Sequence, residues 1–340
     1  MNRASDNGIW IGQPPEVREE HAGSVVDAVA TVAALHAARR SGVLDALLDD
    51  ADTPADVADA TTLDEHAADV LVDVLADRGF FEHVDGAYEP TNRALGLLTK
   101  TDLRSIGTTP HEIDRFACYA ALPETLDADT DDRGANRPEG FERNRLGAVQ
   151  ATPDATVSAA VSAAVRAVPA PTTVLDLGGA PGPYATEFAA RGHDVVLRDD
   201  ADATAAARPL LEPRDVTLDP GPLTSDLPTA DLAFASDLTP RLDDEDLDRA
   251  LAAAHDALTR APETTPDTTE RALVAIEHVR DHSPHASTRR LEALATGDPG
   301  DCRTEPDLRD RLANAGFDRV ERRAVPGLDR YAIVASPRRT

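Results

Sequence analysis

The sequence predicts an α/β protein whose C-terminal half forms a doubly wound sheet and whose N-terminal part is rich in helices. Short apolar runs alternate with helical patterns from residue 172 onwards, which is typical of a parallel sheet covered by helices. The first run joins its helix through a glycine-rich turn, whereas residues 24–78 carry their apolar side chains mainly at helical spacing. A chain of 340 residues is long enough for about two domains.

The glycine-rich turn is the clearest functional signal in the chain. Residues 174–177 predict a buried strand, and Gly178, Gly179 and Gly182 permit a turn that brings the backbone close to a ligand. Pro183 suits the first turn of the helix that follows. A strand, a glycine turn and a helix N-terminus form one edge of a nucleotide-sized pocket in a Rossmann-like domain.

Two acids near this turn indicate which nucleotide it binds. A dinucleotide-binding turn reads G-x-G-x-x-G/A, but from Gly178 the chain reads Gly-Gly-Ala-Pro-Gly-Pro, which disfavours NAD. Asp176 would repel a pyrophosphate but would suit a cationic cofactor that has no phosphate. Asp199 ends the next predicted strand, where a carboxylate can accept hydrogen bonds from both ribose hydroxyls. S-adenosylmethionine fits this description.

The rest of the C-terminal half continues the alternation of strands and helices. Acids open the first turn of the helix at 243–258, where they favour its N-terminal dipole, and a loop rich in Pro and Thr occupies residues 261–270. The further predicted strands are residues 195–197, 216–218, 232–235, 273–276 and 330–334.

The composition is strongly acidic, with 62 acidic and 34 basic residues and a formal net charge of −28. Such a balance looks like that of halophilic cytoplasmic proteins, whose carboxylates keep the surface hydrated. It also disfavours nucleic acid and anionic membranes as partners. The two cysteines, Cys118 and Cys302, are too few for a disulfide framework, and no run of 18 apolar residues occurs. We therefore expect a soluble protein of the cytoplasm.

The N-terminal part has the element order of a winged helix, namely helices followed by a hairpin whose turn is Asp85-Gly86. The candidate recognition helix at 64–78 carries five acids and one arginine, which disfavours binding in a DNA groove. The apolar stripe of residues 24–40 therefore either pairs with its copy in a homodimer or packs within one subunit. Residues 1–22 have few apolar anchors and are interpreted as a tail or a strap onto a partner subunit.

Several segments together resemble the class I small-molecule O-methyltransferases, which include plant phenolic and bacterial polyketide-tailoring enzymes. They are LVDVLADRGFF at 71–81, GAYEPT at 86–91, the acid-and-glycine turn with Ala180 in place of its middle glycine, and R-T-x-x-x-L-x-x-x-L-x-x-A-G-F at 303–317. The resemblance implies a methyl acceptor that is a small molecule, and it implies four regions. These are a tail at 1–22, a winged-helix dimerisation domain at 23–104, a helical connector or substrate lid at 105–170, and an S-adenosylmethionine-binding domain at 171–340.

The resemblance also assigns roles to single residues, but this sequence departs from the family at two functional positions. The family's catalytic His matches Pro240, and its acid near the adenosine matches Pro222, for which Asp219 is the nearest substitute. Glu277 matches the acid that flanks the base, and without that base it is a candidate catalytic base itself or a structural acceptor. His278 follows it as a candidate replacement base. The predicted cofactor-binding residues are Asp176, Gly178, Gly179, Gly182, Asp199, Asp219 and Ser236.

The sequence is also compatible with two other functions. The departures at Ala180, Pro222 and Pro240 also fit a regulatory protein that binds S-adenosylmethionine without transferring its methyl group, and the N-terminal region also fits a ligand-sensing winged-helix regulator. Residues 127–140 have little to bury and predict a loop or lid, and the scarcity of aromatic and Met side chains around it disfavours a large flat acceptor. The histidines at 278, 282 and 285 lie in a polar loop, where we expect no metal.

Overall fold

The computed structural model describes residues 15–98, 102–126, 134, 136–260 and 270–338. The chain divides into two compact units, Met1–Leu98 and Thr99–Thr340. Residues 1–14 of the predicted tail, most of the predicted loop at 127–140, and residues 261–269 of the Pro/Thr-rich loop lie outside the described residues. The predicted tail differs from the structure in its second part, since the first helix already begins at Pro15.

The N-terminal unit contains helices followed by a two-stranded hairpin. Thr53 and Asp64 begin the third and fourth helices as N-caps, each accepting a hydrogen bond from a backbone N–H three residues further on. The predicted hairpin is confirmed: its strands pair antiparallel around Asp85-Gly86, both of which have positive φ. The elements are α1 (Pro15–Ser41), α2 (Val43–Asp49), α3 (Pro54–Ala60), α4 (Glu65–Asp77), β1 (Phe81–Val84), β2 (Ala87–Pro90) and α5 (Asn92–Leu98).

The core of this unit lies between α1, α4 and the hairpin. Leu35 of α1, Val72 of α4 and Phe80 and Phe81 beside the hairpin are all at most 2% exposed. The predicted helix at 24–40 is therefore partly an internal packing element. Val26 of α1 is nevertheless 66% exposed and Val29 is 54% exposed, so apolar surface remains on this helix.

The C-terminal unit contains ten helices and seven strands among the described residues. The helices are α6 (Leu103–Ile106), α7 (Thr109–Ala120), α8 (Leu122–Thr125), α9 (Phe141–Gln150), α10 (Asp154–Ala167), α11 (Pro183–Ala190), α12 (Ala201–Leu211), α13 (Asp244–Thr259), α14 (Ala286–Thr296) and α15 (Glu305–Asn314). The strands are β3 (Thr173–Leu177), β4 (Asp194–Asp199), β5 (Val216–Pro220), β6 (Leu232–Ser236), β7 (Ala272–Glu277), β8 (Phe317–Ala324) and β9 (Tyr331–Pro337).

The seven strands form one sheet in the order β5-β4-β3-β6-β7-β9-β8. The first five are mutually parallel, and β9 runs antiparallel to both of its neighbours. Helices α10, α11 and α12 pack on one face around Phe188 and Phe234, and α13 and α15 cover the other face around Leu247 and Leu312. The predicted doubly wound α/β fold is confirmed.

This topology brings distant residues to one edge of the sheet. Because β3, β4, β6 and β7 are parallel, their carboxyl ends meet at the same edge, where ligands bind in such sheets. Helix α7 packs against both α9 and α14. Among the described residues, no helix combines the length and the apolar character needed to cross a membrane.

Candidate active site

A cavity of about 490 Å³ opens at the carboxyl edge of the sheet. Three sets of residues line it. The glycine-turn wall consists of Asp176, Gly178, Gly179, Ala180 and Tyr184; the strand-end wall consists of Ser236, Asp237, His278 and Arg330; and the helical wall consists of His111, Arg137, Phe141, Glu142, Arg145, Arg289, Glu292 and Asp298. Asp200 and Arg241 also line the cavity.

The glycines of the turn have different roles. Gly178 has a φ of 65°, and a Cβ at Gly179 would lie 2.2 Å from the Asp176 carboxyl carbon, so only glycine fits at these two positions. Gly182 is not among the cavity residues. It begins α11 with a φ of 102°, and a Cβ there would lie 2.8 Å from the Leu211 side chain, so it serves packing between α11 and α12.

Asp176 is the most unusual group of the glycine-turn wall. Its side chain is buried, and neither carboxylate oxygen has a hydrogen-bond partner of good geometry among the described residues. Burial and the nearby Asp199 raise the pKa of Asp176 to about 7, while the Ala185 backbone and Arg241 offset only part of the increase. A buried carboxylate without a partner is costly, and a cationic ligand would relieve that cost.

Asp199, in contrast, has protein partners at both of its carboxylate oxygens. Its Oδ2 accepts a hydrogen bond from the Ala180 N–H at 3.1 Å, and its Oδ1 accepts from the Asp200 N–H at 3.0 Å and lies 3.4 Å from Arg241 Nη2. Arg241 Nη1 also donates to the Gly178 carbonyl at 2.7 Å. Asp199 does not line the cavity itself, so Arg241 stands at the place where the sequence predicts a ribose contact.

Of the two remaining predicted cofactor-binding residues, Ser236 lines the cavity and Asp219 does not. Asp219 pairs with Arg198 at 2.7 Å and is not a cavity residue, and the carbonyl of Pro222 accepts a hydrogen bond from the same arginine. Ser236 lines the cavity, where its hydroxyl accepts a hydrogen bond from Arg330 at 2.9 Å and lies 3.3 Å from the Tyr184 hydroxyl.

Glu277 lies at the end of β7 but outside the cavity wall. Its carboxylate accepts hydrogen bonds from the backbone N–H groups of Leu238 and Thr239, at 2.8 and 3.4 Å, and from the Thr239 hydroxyl at 2.9 Å. Burial raises the pKa of Glu277 to about 7. This arrangement favours a structural role, because the side chain fixes the turn that carries Arg241.

His278 is the candidate base that does line the cavity. Its Nδ1 is buried without a hydrogen-bond partner in the described part of the chain, and burial lowers the pKa of the imidazole, which favours the neutral form that accepts a proton. Asp237 acts in the opposite direction. Pro240, which the resemblance matches to the family's base, lies buried in a 3₁₀ turn at Thr239–Arg241 and is not a cavity residue.

The remaining histidines after β7 are separated from His278. His282 lies 3.0 Å from Glu305, and His285 precedes α14. No group of three or more His, Cys, Asp or Glu side chains among the described residues is arranged to hold a metal ion.

The helical wall contains residues that sequence reasoning missed. His111 lines it, and its ring contacts the Phe141 ring edge-to-face at 5.2 Å. Arg137 falls in the predicted loop, yet it donates to the Thr296 carbonyl and pairs with Asp298 at 2.8 Å. Arg289 lies in the first turn of α14. These residues come from four separate segments, so no local motif announces them.

Comparison with known proteins shows similarity in structure. No protein-family model matches the chain, and no curated protein matches it. Among solved structures, the chain is similar to N,N-8-amino-8-demethyl-D-riboflavin dimethyltransferase (RosA) from Streptomyces davawensis, with a TM-score of 0.68 and 20% identity over 96% of this chain and 99% of that chain.

Two further structures have the same fold. The mitomycin 7-O-methyltransferase MmcR has a TM-score of 0.66 and 19% identity, covering 95% of this chain and 98% of that chain. The human N-acetylserotonin methyltransferase, solved in complex with SAM, has a TM-score of 0.62 and 19% identity, covering 96% and 99%. The α/β fold class implied by the resemblance is therefore confirmed, and the structural similarity extends along nearly the whole chain.

Proposed function

We propose that this protein is an S-adenosylmethionine-dependent methyltransferase that acts on a small molecule, at an oxygen atom. The observation that carries the proposal is the buried, unpartnered carboxylate of Asp176 in the cavity wall. A sulfonium or ammonium group of the cofactor would supply the missing positive charge. The methyltransferase fold supports this choice, because one structure with that fold was solved in complex with SAM.

The residues of the glycine-turn wall fit the cofactor. Gly178 and Gly179 line the cavity, the absence of a Cβ at Gly179 makes room for the Asp176 carboxyl group, and Asp176 offers the counter-charge. Asp199 is expected to bind the ribose once Arg241 shares or releases it, and Ser236 and Asp219 stay candidates for contacts with the cofactor. When bound, S-adenosylmethionine supplies an electrophilic methyl group.

The proton of the acceptor needs a base in this chain. His278 lines the cavity and its lowered pKa favours the neutral state, so we assign it the removal of the acceptor's proton. Glu277 supports the site by holding Leu238 and Thr239 in place. The rival is a binding or regulatory protein without transfer activity, which keeps the cofactor pocket but makes no methylated product.

Two measurements test the proposed function. Titration calorimetry at high salt is expected to show binding of S-adenosylmethionine and S-adenosylhomocysteine and no binding of NAD. Mass spectrometry of reactions with a panel of hydroxylated small molecules is then expected to find a product heavier by one methyl group. NAD binding, or no binding of either sulfur nucleoside by the folded protein, would contradict the proposal; cofactor binding without any product would favour the regulatory rival.

For the N-terminal unit, the proposal is a winged-helix domain that dimerises the protein. The order of α2, α3, α4 and the hairpin supports the winged helix, and the exposed Val26 and Val29 of α1 offer apolar surface for a second copy. The acids of α4 argue against DNA as its partner. Light scattering on the Val26→Asp, Val29→Asp double variant is expected to give a monomer, and an unchanged mass would contradict dimerisation through α1.

The acidic composition supports a proposed place in the cytoplasm of a halophilic organism. With a net charge of −28, self-repulsion is strong at low ionic strength and is screened by salt. The melting temperature is therefore expected to rise between low and molar salt. A flat salt dependence would contradict the halophilic interpretation.

A further inference from the structure

The helical wall differs in charge from the rest of the chain. In the whole sequence, acidic residues outnumber lysines and arginines by 62 to 34. In the cavity wall the numbers are nearly equal, with five arginines and six acids, and three of the arginines belong to the helical wall. The cavity wall therefore has more arginine relative to its acids than the chain as a whole.

The charges beside this wall form an alternating chain of arginines and acids. Arg115 pairs with Glu292 at 2.8 Å, Arg137 pairs with Asp298 at 2.8 Å, and Glu142 is shared between Arg137 at 2.9 Å and Arg145 at 2.7 Å. Arg289 lies between the two parts of the chain, near Glu292 and Asp298. Four arginines thus share these three carboxylates, and Asp237 adds a further negative charge near Arg289.

Arg289 is the arginine of this group with the most distant ion-pair partners, although Glu292, Asp237 and Asp298 together raise the pKa of its guanidinium in spite of burial. Its Nη2 is 3.5 Å from Asp298, and its Nη1 is 3.8 Å from Glu292 with no hydrogen bond to any described residue. Both acids are held more closely by other arginines. Since the Arg289 side chain is only 16% exposed, water cannot replace the missing acceptor freely.

The pKa of His111 is shifted by its burial and by the charges of this wall. Burial lowers the pKa of His111 to about 4, and Arg115, Arg145 and Arg289 contribute to the decrease, with Glu142 opposing them. The imidazole is therefore neutral at physiological pH, and its Nδ1 lacks a partner in the described part of the chain. A neutral ring can hydrogen-bond a ligand without adding to the positive charge.

We propose that the methyl acceptor is an anion whose carboxylate binds Arg289, with Arg145 and His111 beside it. A guanidinium matches the planar geometry of a carboxylate and binds it through two parallel hydrogen bonds. Arg145 uses its Nε for Glu142, and its two terminal nitrogens donate to no acceptor among the described residues. Phe141 also lines the cavity, and its buried ring packs against His111 and lies beneath the Arg137 guanidinium. This proposal rests on the proposed function only in naming the anion as the methyl acceptor.

The test compares matched anionic and neutral probes on the full-length protein. Sodium acetate, benzoate and 4-hydroxybenzoate are titrated beside acetamide, benzamide and 4-hydroxybenzamide, with and without saturating S-adenosylhomocysteine, by ligand-observed NMR. At least one carboxylate is expected to bind roughly 10-fold more tightly than its amide, the preference that one charge-assisted pair provides. Inorganic phosphate serves as a competing oxyanion of different geometry.

Two neighbouring arginines provide the variant and its control. Arg289→Gln is expected to abolish the preference for the carboxylate, and Arg289→Lys is expected to restore part of it. Arg290→Gln changes the next residue of the same helix, which pairs with Asp301 and does not line this cavity, and it is expected to keep the full preference. Thermal unfolding of all three variants shows whether they fold.

Several results would overturn the proposal. They are equal binding of all carboxylates and amides, tighter competition by phosphate than by any carboxylate, or equal losses in the Arg289→Gln and Arg290→Gln variants. The outcome is separable from that of the proposed function. Carboxylate selectivity without S-adenosylmethionine binding would support the anion site and contradict the proposed methyl transfer. S-adenosylmethionine binding without carboxylate selectivity would contradict only the anion site.

Discussion

The glycine-turn wall and the helical wall of the cavity differ in which charge lacks a partner. On the glycine-turn wall a buried acid, Asp176, has no partner, whereas on the helical wall an arginine, Arg289, has only distant ones. One wall therefore favours a cation and the other favours an anion. Such a pair of walls would gather a sulfonium and an anionic acceptor in one cavity.

The largest effect is expected at the strand-end wall, which contains the proposed base. Replacing His278 with Asn removes the proton acceptor and is expected to lower kcat roughly 100-fold, because general-base catalysis commonly contributes that much. The dissociation constant for S-adenosylmethionine, measured by calorimetry, is expected to stay within about 2-fold. A kcat unchanged in the Asn variant would exclude His278 as the base.

A smaller effect is expected on the glycine-turn wall. Asp176→Asn removes a charge-assisted contact and is expected to weaken S-adenosylmethionine roughly 30-fold, the equivalent of about 2 kcal/mol. The same change is expected to raise the melting temperature of the ligand-free protein at pH 8, because the folded state raises the pKa of this acid and so penalises its ionised form. This penalty is absent below the pKa that Asp176 has in the unfolded chain. The increase in melting temperature from Asp176→Asn should therefore be smaller at pH 4 than at pH 8.

Asp215→Asn is the matched control for this variant, since Asp215 is an exposed acid of the same unit. It is expected to change neither the affinity nor the melting temperature. If both variants behave alike, the effect at Asp176 belongs to net charge and not to the site.

Asp199→Ala is expected to weaken S-adenosylmethionine less than Asp176→Asn does, by roughly 5-fold. Asp199 already accepts hydrogen bonds from Ala180 and Asp200 and pairs with Arg241, so the cofactor gains less from it. Calorimetry on both variants gives the ranking. An affinity equal to that of the wild type would contradict the ribose assignment.

The smallest effect is expected from Arg241→Gln, which is predicted to tighten S-adenosylmethionine binding about 3-fold. The arginine competes with the cofactor for Asp199 and adds positive charge beside a cationic ligand, but its partial exposure screens both effects. Isothermal titration of the variant checks the sign. Weaker binding would show that Arg241 contacts the cofactor instead of competing with it.

The same contrast explains how much of the molecule could be predicted from sequence. The glycine-turn wall lies in one continuous segment, so spacing alone predicts Asp176, Gly178 and Gly179 as cofactor-binding residues. Alternating apolar runs predict six of the seven strands of the sheet, all except β8. The helical wall could not be predicted, because His111, Arg145 and Arg289 converge only after α7 packs against α9 and α14. Asp199 and Arg241 lie 42 positions apart in the chain, and their pairing depends on side-chain conformations that sequence spacing does not indicate.

The pH dependence of S-adenosylmethionine binding tests the central role of Asp176 most directly. With a pKa of about 7 in the free protein, Asp176 is mostly protonated at pH 6 and mostly ionised at pH 8, so wild-type affinity should rise roughly 10-fold over that interval relative to Asp176→Asn. Parallel pH profiles for the two proteins would contradict the assignment of this carboxylate as the counter-charge of the cofactor.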